Sequence, residues 1–195
     1  MSMMHCSLLS LGCAFGFAPP QEDNTLTALR ALKIAQRRLR PEVRTKLLSI
    51  SSPRTNGSLT PTAWRFTFSD PGTSGHCRVV TVAAKASSEH PDTVEAFASA
   101  KTEDVNELQA IPQNKLLIDS DKVLSQIRAG SKMKGLKWVE YRLVQPRSTK
   151  EPLWQLCFYS ESGDTVAGFK VGAKSGAMEM NQEHCPDPSV CEVGK

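Results

Sequence analysis

Trp64-Arg65-Phe66-Thr67-Phe68 recurs later in the chain as Trp154-Gln155-Leu156-Cys157-Phe158. In both stretches large apolar side chains alternate with smaller or polar ones. A strand sends successive side chains to opposite faces, so each stretch reads as a strand with one buried face. A turn-rich segment follows each one, Asp70 to Gly75 and Ser160 to Asp164. A second strand pattern comes next, Arg78 to Ala83 and Val166 to Val171. Both copies therefore read as hairpins.

Working upstream, Val139, Tyr141 and Leu143 alternate with Glu140 and Arg142, which adds a strand before the second hairpin. Ser120 to Ala129 reads as a helix before that strand. Asp119 is placed to cap it, Ile118 and Val123 sit at hydrophobic-staple positions, and Gly130 supplies a left-handed stop. The first copy offers Asn24 as a cap, a stripe through Leu29, Leu32 and Leu39, and a strand over Leu47 to Ser51. Each unit reads helix, strand, strand, strand, and a helix laid across three strands buries their apolar face. The expected fold class is α+β: two repeats of one helix packed on a three-stranded antiparallel sheet. The expected units span 24–88 and 116–180, joined by a linker over 89–115 and followed by a Cys-containing tail, 181–195. The linker has no strong period and leaves room for a short extended or helical piece around Val94 to Ala100.

The alternation assigns Trp64, Phe66, Phe68, Trp154 and Phe158 to the core in preference to a ligand groove. Trp138 falls on the strand face opposite Val139 and Tyr141. It either covers the junction between units or is exposed for a partner.

The second unit carries a Pro-x-Trp strand (Pro152-Leu153-Trp154), a Gly turn (Gly163-Asp164) and a closing small-Lys-x-Gly step (Ala173-Lys174-Ser175-Gly176). In this order the pattern resembles the PepSY domain family. The first unit departs from it, with no Pro two places before Trp64 and with Ala86 where the closing Gly belongs. The resemblance implies a tandem pair of cystatin-like units, the first diverged, of a kind found in propeptides of metallopeptidases and in envelope proteins. It implies binding or restraint of a peptidase or peptide, with no catalytic residue and no cofactor.

Size and composition are those of a globular chain: 195 residues, 39% hydrophobic, 23% charged, net charge +4. Such a mild charge is weak evidence for an anionic partner. Ser7 to Ala18 is an uncharged, mostly apolar run, too short to span a bilayer, with Gly16 and Ala18 at small-x-small spacing. Residues 1–18 are expected to be a signal peptide, which makes the chain exported, periplasmic or extracellular. No Lys or Arg precedes the run and Pro19 would follow the cut, so an apolar N-terminus without a targeting role is the alternative. Leu11-Gly12-Cys13 resembles the end of a lipobox and makes Cys13 a lipidation candidate, with Ser10 where the pattern wants Leu.

Cys77, Cys157, Cys185 and Cys191 lie beyond that segment and are disulfide candidates in an exported chain. Cys185 and Cys191 can close the Pro-rich tail on itself, leaving Cys77 and Cys157 to pair or stay reduced. The repeated His76-Cys77 and His184-Cys185 dipeptides suggest metal, but adjacent ligands are poorly placed to share one ion. No metal site is expected. Cys157 as a catalytic thiol would need His76 or His184 beside it. No nucleophile elbow, zincin motif or phosphate loop occurs, so no enzyme activity and no cofactor are expected.

The sharpest charge feature runs from Arg30 to Lys46. Arg30, Lys33, Arg37, Arg38 and Arg40 form a basic surface, the first three at helical spacing away from the Leu stripe. It reads as a solvated face, or as contact with an anionic membrane surface or an acidic partner. Nucleic acid is not expected, because no aromatic residue interleaves with the patch. The functional expectation is an exported, non-enzymatic binding module, and the alternative a surface-associated envelope protein acting through its basic first helix.

Overall fold

The computed structural model describes residues 26–55, 57–73, 76–84, 94–102, 109–130 and 136–181. Helix α1 (Ala28–Gln36) buries Ala28, Ala31, Leu32 and Ala35, the i, i+3, i+4, i+7 stripe of an amphipathic helix. Thr27 is its cap, accepting a hydrogen bond from the Arg30 N–H; Asn24 lies outside the described residues. A single turn, α2 (Pro41–Arg44), begins with proline at its first position, where a missing N–H costs nothing. Helix α3 (Ser120–Gly130) buries Val123, Leu124 and Ile127 in the same way.

Among the described residues there are eight strands, four before α3 and four after it: β1 (Leu47–Ser51), β2 (Ala63–Ser69), β3 (His76–Ala84), β4 (Val94–Thr102), β5 (Trp138–Val144), β6 (Leu153–Tyr159), β7 (Thr165–Gly172) and β8 (Met178–Asn181). They form one sheet in the order β4-β3-β2-β1-β5-β6-β7-β8, antiparallel throughout. This corrects the expected fold class. Two repeats of one helix on a three-stranded sheet do not form; the chain builds a single eight-stranded sheet over a single core. The 89–115 connection contributes β4, paired with β3 along its whole length. The segment after the Ala173–Gly176 step contributes β8.

One face of the sheet carries the apolar alternation. Trp64, Phe66, Phe68, Trp154, Leu156 and Phe158 are fully buried there and share a cluster with the stripes of α1 and α3. Trp64, Tyr141 and Trp154 meet edge to face at its centre, with ring centroids 5.5 to 6.5 Å apart. Both indoles satisfy their N–H on the chain entering a helix: Trp64 donates to the Leu26 carbonyl (2.7 Å), Trp154 to the Ile118 carbonyl (3.0 Å). A bulge at Leu48 bends β1 so that Leu47 and Ile50 both reach this core.

The seam between the halves is β1 against β5: Ser49 opposite Val144, Ile50 opposite Leu143, Ser51 opposite Arg142. Pro53 ends the strand, yet the ladder continues. Ser52 and Thr55 each donate their N–H, to the carbonyls of Tyr141 and Val139. Their hydroxyls then stand in for carbonyls, accepting the N–H of Tyr141 (3.1 Å) and of Val139 (3.0 Å). Both side chains are buried. At the far side Asp70, also buried, takes hydrogen bonds from Arg40 (2.8 Å), Arg78 (2.9 Å) and the Gly72 N–H (3.2 Å). The Arg78 bond, helped by Gly72 and Arg40 against the opposing effect of burial, holds the Asp70 carboxyl below its ordinary range.

Replacing Ser52 by Ala together with Thr55 by Val strands two buried N–H groups, and each is expected to cost about 1–3 kcal/mol in urea unfolding. A double variant as stable as the parent would contradict the role given to the hydroxyls. Asp70→Asn tests the second network. A depressed carboxyl contributes stability that is present above its unfolded pKa and lost as pH falls through the folded one. The variant is expected to be about 2 kcal/mol less stable at neutral pH, with the gap closing below about pH 4. A gap independent of pH would contradict the ion-pair account.

Candidate functional site

The helices pack on one face of the sheet, and the other face holds a cleft. Its floor is Leu153 and Gln155 of β6 with Lys170 and Gly172 of β7. Its walls are the β5–β6 turn (Pro146 to Glu151), the β7–β8 turn (Lys174 to Ala177), and Lys115 and Leu117 from the connection before α3. The volume is about 910 Å³, within the range of ligand-sized pockets.

Each wall is fixed by its own hydrogen bonds. In the β5–β6 turn the buried Gln145 donates to the Thr149 carbonyl (2.9 Å), and the Thr149 hydroxyl donates to the Pro146 and Glu151 carbonyls. Lys115 Nζ reaches the Lys150 carbonyl at 2.6 Å and ties this turn to the connection. Glu151 holds the other wall. Its carboxylate accepts the N–H of Lys174 (3.0 Å), the N–H of Ser175 (2.9 Å) and the Ser175 hydroxyl (2.7 Å). The Ser175 side-chain and backbone bonds hold the Glu151 carboxyl below its ordinary value, with burial working against them. Gly172 makes the clamp possible, because a Cβ there would collide with Ser175 Oγ and lie 2.8 Å from Glu151 Oε1. Gly176 takes the left-handed conformation (φ +72°) that turns the chain into β8.

The lining is basic: Lys115, Lys150, Lys170 and Lys174 against Glu151 and Glu179. Glu151 is committed to the clamp, and Glu179 stands opposite Lys170 across β7 and β8. Between them lies an unmet acceptor. Gln155 Oε1 is buried and receives no hydrogen bond from the described residues. Its cross-strand neighbour Arg142 has a buried Nε that makes none either. Native interiors rarely leave such atoms unpaired. Leu117, 60% exposed, adds an apolar rim.

The residues singled out from sequence lie elsewhere. Arg30, Lys33, Arg37 and Arg38 are exposed on or just after α1, on the opposite side of the sheet from the cleft. Arg40 is drawn into the Asp70 network and also contacts Glu42 at 3.3 Å. Cys77 and Cys157 are buried on β3 and β6. Four inter-strand steps separate those strands, on the order of 19 Å along the sheet, far beyond the reach of a disulfide. The same separation keeps His76 from Cys157. Trp138 is half-buried beside Gly163 at the β6–β7 turn. Cys13, His184, Cys185, Cys191 and the 1–18 segment lie outside the described residues. Among the described residues no three His, Cys, Asp or Glu side chains gather as metal ligands. The cleft lysines were missed because they are scattered over four segments. The one available signal was the closing Ala173-Lys174-Ser175-Gly176 step, which Glu151 now explains.

Gly172→Ala is expected to break the clamp, costing about 1–3 kcal/mol and releasing the Glu151 carboxyl toward its ordinary pKa. Carboxyl titration followed by NMR checks this. A Glu151 carboxyl still held below its ordinary range in the variant would show that the clamp does not depend on the glycine.

Comparison of the chain with protein-family models, with curated proteins and with solved structures returns no match.

Proposed function

We propose that the chain is an exported, non-enzymatic binding module whose cleft between the β5–β6 and β7–β8 turns takes a peptide segment bearing acidic side chains. The observation that carries this reading is the cluster of four lysines that lines the cleft. The carboxylates of such a peptide match the lysines. The Leu117 rim suits an apolar side chain of the same segment. Charge complementarity of this kind governs register and the rate of encounter more than final affinity. Binding is therefore expected to weaken as salt screens the lysines.

The test is calorimetric titration with a glutamate-rich synthetic peptide and with its glutamine counterpart. Lys150→Gln combined with Lys174→Gln is expected to weaken binding of the acidic peptide roughly tenfold and to flatten its salt dependence. Equal affinity of the two peptides, or an unchanged affinity in the variant, overturns the reading. A second reading rests on Arg30, Lys33 and Arg37, which are exposed and form no ion pair among the described residues. They would hold the chain on an anionic membrane surface. Neutralising all three should then abolish low-salt binding to anionic vesicles while leaving peptide binding intact.

A further inference from the structure

The Lys174-Ser175 turn grips a carboxylate from three sides. Two successive backbone N–H groups, of Lys174 and Ser175, converge on Glu151 Oε2 at 3.0 and 2.9 Å, and the Ser175 hydroxyl donates to Oε1 at 2.7 Å. Consecutive N–H groups aimed at one point form a concavity, or nest, suited to an anion. The turn also keeps its shape through bonds in which the Glu151 carboxylate has no part. Gly172 donates its N–H to the Ala177 carbonyl (2.8 Å), Gly176 to the Gly172 carbonyl (2.9 Å) and Ala173 to the Pro152 carbonyl (2.9 Å). The Ala173 carbonyl accepts the N–H groups of Leu117 and Ile118, each at 3.0 Å. The nest is open to solvent: Lys174 and Ser175 are exposed, and both line the cleft beside Glu151.

We infer that this nest is the carboxylate-reading subsite of the cleft, and that Glu151 fills it as an internal stand-in which an acidic side chain of the ligand displaces. The inference rests on the acidic-peptide reading of the cleft. The exchange is like for like. One carboxylate leaves for water as another arrives, so the three donors are not left without an acceptor. The resident carboxylate belongs to the same chain and competes at a high effective concentration. The ligand's apparent affinity falls by the fraction of molecules whose nest is free. Glu151 is in this sense an autoinhibitory contact. A lone carboxylate loses the competition. One delivered by a peptide whose other acids engage Lys150 and Lys170 on the same lining wins it.

The test uses the full chain carrying Glu151→Ala, which empties the nest. In this variant sodium acetate is expected to shift the Lys174 and Ser175 amide resonances saturably, where sodium chloride does not. In the parent, acetate is expected to leave them in place. No acetate response in the variant, or an equal response in the parent, overturns the inference. Glu151→Gln keeps the side-chain length without the charge and gives the same readout should the alanine variant fail to fold; acetate that does not displace its neutral amide overturns the inference too. A C-terminally amidated glutamate-rich peptide offers side-chain carboxylates alone. It is expected to bind Glu151→Ala about tenfold more tightly than the parent. Equal or weaker binding by the variant overturns the displacement of Glu151. A peptide that binds neither protein sinks the acidic-peptide reading instead, and the acetate response then decides the nest by itself.

Discussion

The pairing of β1 with β5 is the constraint on which the rest depends. Only three residue pairs form the regular ladder, and a proline stands two places beyond it. Left there, the two halves would share a short contact and bury little together. The Ser52 and Thr55 hydroxyls carry the pairing on to Val139, and Arg54 spans the seam to stack 3.8 Å over the Tyr159 ring. Because the seam holds, Trp64 of one half and Trp154 of the other can pack on Tyr141 in one core.

The halves also share their helix ends. The first N–H groups of a helix have no partner inside it. In α1, the Ala28 N–H donates to Ser120 Oγ and the Leu29 N–H to Asp119 Oδ1, each at 3.0 Å. Both acceptors belong to the start of α3. Asp119, expected as a cap for its own helix, also serves the other one, and its charge lies near the positive ends of both dipoles. Sheet seam, aromatic centre and helix ends thus join the same two halves at three levels.

Much of the strand content was legible because its signal is local. Trp64 to Phe68, Trp154 to Phe158 and Val139 to Leu143 alternate strongly, and each is a strand with its large residues in the core. The joining of the halves was not legible. It rests on register between segments far apart in sequence, and on two hydroxyls beside a proline that read as a loop. Strand β4 was only half legible: its small and polar composition, VEAFASAKT, alternates weakly and left an extended piece as one of two readings for Val94 to Ala100. The cleft was hidden for another reason. Its lysines come from turns and from the second strand face, where polar residues read as plain solvent exposure until the fold brings them together.

The proposed function rests on the cleft. Its walls are pinned by Glu151, Gln145 and Lys115, while Gln155 at its floor and Arg142 on the neighbouring strand keep buried polar atoms without partners among the described residues. A pre-formed basic cavity is suited to a ligand that supplies negative charge. The most direct measurement is amide chemical-shift mapping during titration with an acidic peptide. The expected result is saturable shifts at Lys150, Gln155, Lys170 and Lys174, with α1 unaffected. Shifts confined to Arg30 through Arg38, or none at all, would contradict the assignment of function to the cleft.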